Sequence, residues 1–254
     1  MTNLQPPRPL QQILGRERAL VAMVHLQPLP GSPRASLSPR EIARHAVEEA
    51  RALADAGFDA ILIENMHDAP YLAREVGDET VAAFTRAACE VRAAVDLPLG
   101  VQVLAGANRA ALSVALAAEC SFIRAEGFVF AAIADEGLLA TADAGPLLRY
   151  RRALGPAAER IAEHAHAAEF FGADGVVVTG AATGVATPIA DLSAARKACR
   201  LPVIAGSGAT AASVREMLGH ADAVIVGSDL KVDGLWSNPL DPARIASFVR
   251  AARG

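Results

Sequence analysis

Two short apolar runs, Val203–Ala205 and Ala223–Val226, each stop at a glycine and a serine, and this pairing constrains the fold more than any other stretch. Gly206-Ser207-Gly208 closes the first run and Gly227-Ser228 closes the second. Between them, Thr210–Leu218 places Val214, Met217 and Leu218 at helical spacing. Strand, small-residue turn, helix and strand make a βαβ unit, whose strands must be parallel. Glycines let a backbone approach a ligand closely, and unpaired N–H groups at such turns suit a phosphate. In (β/α)8 barrels that site is often built from the loops after strands seven and eight. Small residues that merely close tight turns are the plainer alternative.

A chain of 254 residues can bury one large core, and no linker divides it, so a single domain over residues 1–254 is expected. The net charge of −4 supplies no basic field, which argues against nucleic acid and anionic membrane as partners. No apolar run is long enough to span a membrane or serve as a signal peptide. Cys89, Cys120 and Cys199 show no C-x-x-C spacing and read as buried, reduced thiols. A soluble cytoplasmic protein is expected.

In chain order, Ala19–Leu26 reads as a buried strand that carries His25 to its C-terminal end. Ser38-Pro39-Arg40-Glu41 then opens a helix with a capping box and ends it near Gly57. Asp59–Asn65 is a strand ending in Glu64 and Asn65, and Leu99–Leu104 is one carrying Gln102. In Ser121–Glu126, alternation sets Phe122, Arg124 and Glu126 on one face. A parallel strand is covered on both faces, so these charges need partners or the solvated mouth of a barrel. Asp174–Gly180 supplies Thr179 and Gly180. The segments GFDA, GADG and HADA each introduce a strand, a rhythm of repeated βα units.

The stretch between Tyr150 and Asp174 has no β-branched run, and its centre reads as one helix. Seven strands are therefore recognisable. The expected fold is α/β, a TIM (β/α)8-type barrel left incomplete with seven parallel strands. It could contract, stay open beneath Gly127–Ala142, or be covered by a second subunit, and Phe128–Ile133 is expected to pack over the gap. A homo-oligomer is expected.

The stretches Met23–Pro33 (MVHLQPLPGSP), Ile63–Tyr71 (IENMHDAPY), Gly100–Leu104, Phe122–Glu126 and Ala134–Gly137 identify a resemblance. Leu147–Arg151, Val178–Gly184, Ile204–Gly208 and Ile225–Lys231 continue it over nearly the whole chain. The chain resembles the BtpA/SgcQ family, named for a photosystem I biogenesis protein. The resemblance implies a TIM barrel that binds phosphorylated small molecules, with no settled reaction. The chain departs from that family in lacking the usual strand-plus-loop unit after LLRYR. It also has Ala105-Gly106-Ala107 where many members carry Arg and Asn.

In a barrel, His25, Glu64, Asn65, Gln102, Arg124, Glu126 and Thr179 lie at C-terminal strand ends, where active sites sit. Glu64 or Glu126 is expected to be the base, His25 the acid and Arg124 the stabiliser of developing negative charge. Asn65, Gln102, Thr179, Gly180, Gly206, Ser207, Gly208, Gly227, Ser228 and Lys231 are the expected substrate contacts. Lys231 is one of two lysines, the other being Lys197, and a surface position is its plainer reading. The His and carboxylate residues could hold a divalent metal, although their spacing forms no local motif, and no organic cofactor is indicated. His45, His67, Asp68, Tyr71, His164 and His166 receive no role. Two functions remain: an enzyme acting on a sugar or nucleotide phosphate, or a barrel serving as a binding or assembly factor.

Overall fold

The computed structural model describes residues 10–134, 137–158, 162–164, 169, 171–180 and 185–254. A short helix α1 (Leu10–Leu14) leads into β1 (Ala19–His25), α2 (Pro39–Asp55), β2 (Ala60–Glu64), α3 (Asp78–Ala94) and β3 (Leu99–Gln102). Next come α4 (Asn108–Ala117), β4 (Phe122–Arg124), the hairpin β5 (Ala132–Ala134) and β6 (Gly137–Leu139), and α5 (Ala144–Ala153). The chain closes with β7 (Ala162–His164), β8 (Val176–Val178), α6 (Ile189–Ala198), β9 (Val203–Ala205), α7 (Val214–His220), β10 (Ala223–Val226) and α8 (Pro242–Arg253). Eight strands form one sheet in the order β7-β4-β3-β2-β1-β10-β9-β8, with parallel pairing throughout.

All seven strands read from the sequence are present. The reading of Tyr150–Asp174 as strandless and helical needs correction, because β7 pairs with β4 through Phe122↔Ala162, Ile123↔Glu163 and Arg124↔His164. None of its three residues is β-branched, so the exposed edge of β4 rather than intrinsic propensity holds it. Among the described residues no ladder joins β7 to β8, and the sheet is open there.

Alternation along the strands builds two cores. Leu20, Ala22, Val24, Ile61, Ile63 and Ile123 face outward and pack under helix residues such as Ile42, Phe84 and Leu112. Val21, Met23, Leu62, Phe122, Val177, Ile204 and Ile225 fill the barrel interior, which Leu10, Ile13 and Leu14 of α1 close at its N-terminal end. A Cβ at Gly100 would lie 2.0 Å from a ring carbon of Phe122, so the ring occupies the space a side chain there would need.

The recurring aspartates also have a physical reason. Asp59 accepts from the N–H of Leu20 at 2.7 Å, and Asp222 accepts from that of Val203 at 2.8 Å. Each bonds the start of a neighbouring strand at the bottom of the barrel. The expected capping box is formed, with Glu41 N–H donating to Ser38 Oγ at 3.3 Å and Ser38 N–H donating to Glu41 at 2.8 Å.

Three local expectations change. Helix α7 begins at Val214 because Thr210 and Ser213 bond each other's backbone N–H groups, at 3.0 and 3.3 Å, in a local alternative to helix. Of the three free cysteines Cys120 is buried, Cys199 is half-buried, and Cys89 is exposed on α3. In the run Phe128–Ile133, Phe128 enters the outer core, whereas Phe130 is 63% exposed at the foot of the β5–β6 hairpin.

Candidate active site

The inward positions that fill the barrel interior continue to its C-terminal rim. Two residues beyond Met23, Leu62 and Phe122 stand His25, Glu64 and Arg124, and Gln102 is two beyond Gly100. The register pairs His25 with Glu64 and Glu64 with Gln102. Val101 pairs with Ile123, which sets Arg124 beside Gln102. Past Val177, Ile204 and Ile225, the same parity gives Thr179, Gly206 and Gly227. Sequence reasoning named all seven, and the barrel brings them to one ring.

His25 and Glu64 are both buried, and their Nε2 and Oε2 atoms are 3.8 Å apart. Burial lowers the His25 pKa to about 3, with the Lys231 ammonium and His67 adding to the drop, opposed by the hydrogen bond His25 donates to the Trp236 carbonyl. Burial raises Glu64 to about 7, Arg124 opposing the rise and Glu126 adding to it. The contact is therefore not an ion pair, because the imidazole is neutral at pH 7. A carbonyl only accepts, so His25 Nδ1 carries the proton that reaches Trp236 O at 3.3 Å. That tautomer turns the Nε2 lone pair toward Glu64.

The other ring members differ in how firmly they are held. Both carboxylate oxygens of Glu126 accept hydrogen bonds, from Gln102 Nε2 at 3.0 Å and Gly106 N–H at 2.6 Å. Its backbone is tied to Asn108, and Arg74 donates to its carbonyl at 3.1 Å. Glu126 is thus a fixed acceptor. Gln102 is 1% exposed, and its Oε1 has no partner among the described residues. The Arg124 side chain, half-buried at the end of β4, makes no hydrogen bond or ion pair among the described residues.

The two glycine-serine turns have different surroundings. Ser207 Oγ accepts from Gly180 N–H at 2.7 Å and donates to Val185 O at 2.8 Å. A Cβ at Gly208 would lie 2.3 Å from the backbone of Ala186, and one at Gly180 would lie 2.2 Å from Val185 O. The loop through Val185 and Ala186 therefore accounts for these glycines. Gly227 instead faces the His25 ring, 3.2 Å from where its Cβ would be. The N–H groups of Gly227 and Ser228 donate to no acceptor among the described residues.

Two expected ligand contacts are engaged within the chain. Lys231 is 2% exposed rather than at the surface, and its Nζ donates to Glu49 on α2 at 2.6 Å. Asn65 donates to Asp68 at 2.9 Å and accepts from Leu104 N–H at 2.8 Å, while Asp68 also accepts from Leu29 N–H at 2.7 Å. Asn65 thereby braces three loops around the rim.

Sequence reasoning missed Trp236, whose ring lies 5.0 Å from that of His67 and 6.5 Å from that of His25. It also missed Arg74, which reaches the carbonyls of Glu126, Gly127 and Thr141. Neither sits on a strand, so periodicity gave no signal; a lone tryptophan after a Gly-Ser turn was the available clue. His164, read as helical, stands by register opposite Arg124. Among the described residues no three His, Cys, Asp or Glu side chains gather as a metal centre, and no helix is long and apolar enough to cross a membrane.

The sequence model of the BtpA family matches residues 16–173 and 159–254. An uncharacterized protein of Archaeoglobus fulgidus is 38% identical, over 94% of this chain and 100% of its own. The photosystem I biogenesis protein BtpA of Synechocystis is 32% identical over 95% of this chain and 90% of its own. Among solved structures, thiamine phosphate pyrophosphorylase from Pyrococcus furiosus superposes with a TM-score of 0.55 at 14% identity, over 93% of this chain and 98% of that one. At that identity the likeness is one of fold, the barrel-type α/β architecture.

Proposed function

The chain belongs to the BtpA family, and on that premise we propose that it is an enzyme catalysing proton transfer on a phosphorylated small metabolite at the C-terminal rim of the barrel. The observation that carries the reading is Glu64, a buried carboxyl held near pKa 7 between neutral His25 and an Arg124 with no partner among the described residues. A group with that pKa exchanges a proton readily at neutral pH. The roles expected from sequence shift accordingly: Glu64 gives and takes the proton, and His25 Nε2 acts as an acceptor that orients it. Arg124 balances developing negative charge. Gln102 Oε1 is an acceptor suited to a substrate hydroxyl. The N–H groups of Gly227 and Ser228 supply a phosphate rim beside His25. The Pyrococcus neighbour, named for thiamine phosphate, supports a phosphorylated ligand for this fold. A cytoplasmic, homo-oligomeric state belongs to the same proposal, with light scattering reading the second part.

Thermal denaturation with ribose 5-phosphate tests the phosphate rim. The wild type is expected to gain stability by mass action, and Ser228→Asp, which adds a like charge, is expected to lose that gain while folding normally. An equal gain in both proteins removes the rim from Gly227 and Ser228. A binding or assembly factor remains the second reading, favoured by exposed Phe130 and Leu138 beside the rim and by the Synechocystis relative's name. It expects Phe130→Ser with Leu138→Ser to abolish self-association or partner capture without changing phosphate binding.

A further inference from the structure

Above the His25–Glu64 pair stands an apolar wall that proton transfer does not use. Met66, Leu104 and Ala105 are at most 9% exposed and pack with half-buried Tyr71 and Trp236 as a cluster separate from both barrel cores. His67 joins it through its ring contact with Trp236, and burial, with Lys231 and Arg34 adding, lowers the pKa of that imidazole. Three pieces thus meet at His25. Gly227 faces its ring, Glu64 faces its Nε2, and its Nδ1 donates to the Trp236 carbonyl at 3.3 Å.

We propose that this wall seats a planar heteroaromatic ring, so that the ligand is a ring-bearing sugar phosphate of the nucleoside monophosphate kind. The proposal rests on the phosphate-rim reading above, because rim, carboxyl and wall all adjoin His25, so that phosphate, sugar and ring would each meet one of them. A sugar phosphate alone would leave the half-buried Trp236 and His67 rings facing water. A planar ring would exchange that water for stacking.

The chain has one tryptophan, so its fluorescence reports this wall alone. The experiment titrates the full chain with adenosine 5′-monophosphate, cytidine 5′-monophosphate, ribose 5-phosphate and adenosine, by calorimetry and by Trp236 fluorescence. Both nucleotides are expected to bind at least about tenfold more tightly than ribose 5-phosphate and to change the fluorescence. Trp236→Leu is expected to erase that advantage in calorimetry while leaving ribose 5-phosphate affinity unchanged. Trp236→Phe, which keeps a ring in place, is expected to retain most of it. Equal affinity for nucleotides and ribose 5-phosphate overturns the ring site and leaves the phosphate rim standing. If adenosine binds as tightly as its phosphate, with Trp236 responding, the rim fails and the ring site survives. Failure of all four probes overturns both.

Discussion

His25 Nε2 and Glu64 Oε2 are 3.8 Å apart in the top layer of the barrel, and burial drives both groups toward their neutral forms. Their pH signatures are opposite. Glu64 ionises near pH 7 in the folded chain, against its ordinary value of 4.5. The folded state therefore holds the proton longer, and stability falls as pH rises from 4.5 to 7. His25 has a folded pKa of about 3 against 6.5, so the unfolded chain takes its proton first, and stability falls as pH drops below 6.5.

Glu64→Gln is expected to remove the first penalty. In urea denaturation the variant should match the wild type below pH 4.5 and exceed it by as much as about 3 kcal/mol at pH 8. A variant less stable than the wild type at pH 8 contradicts the burial argument.

Lys231 and Glu49 form a largely buried ion pair, in which Glu49 Oε2 has no hydrogen-bond partner among the described residues. Lys231→Met alone strands the carboxylate and is expected to cost roughly 3 kcal/mol, whereas Lys231→Met with Glu49→Leu is expected to be nearly neutral. The same double variant removes a positive neighbour of His25, so the His25 pKa should rise. NMR titration of the imidazole reads that rise, and an unmoved pKa rules out Lys231 as a cause.

Gly100→Ala tests the filling of the barrel. Its Cβ would meet the Phe122 ring at 2.0 Å, so the ring must shift inside a packed interior. A loss of about 1–3 kcal/mol is expected, and restoration by Gly100→Ala with Phe122→Leu is the check. No loss in the single variant means that Phe122 does not occupy that space.

The fold was legible where neighbouring strands repeat the same physics. Alternation in Phe122-Ile123-Arg124 separated inner from outer face, and the aspartates at 59 and 222 marked the strands that follow them, while each bonds the start of a neighbouring strand. Ala162–His164 escaped because its strand character comes from the β4 edge and not from its own residues. In the site, position at C-terminal strand ends found His25, Glu64, Gln102 and Arg124. It could not tell a glycine that receives the chain's own loop, as Gly208 does at Ala186, from one open to a ligand. The pairing of Lys231 was hidden for a similar reason: its partner, Glu49, is distant in sequence and becomes a neighbour only in the folded chain. Any side chain at Gly208 would meet the Ala186 backbone, so Ser228→Asp is the sharper probe of ligand binding.

The most direct measurement is a 1H–15N NMR titration of the full chain with ribose 5-phosphate, followed at the Gly227 and Ser228 amides and at Arg124 Nε–H. Saturable shifts at all three, with the Glu64 carboxyl titration displaced in the bound state, are the expected result. Saturable binding that leaves Gly227, Ser228 and Arg124 unmoved while shifting signals elsewhere would contradict the account.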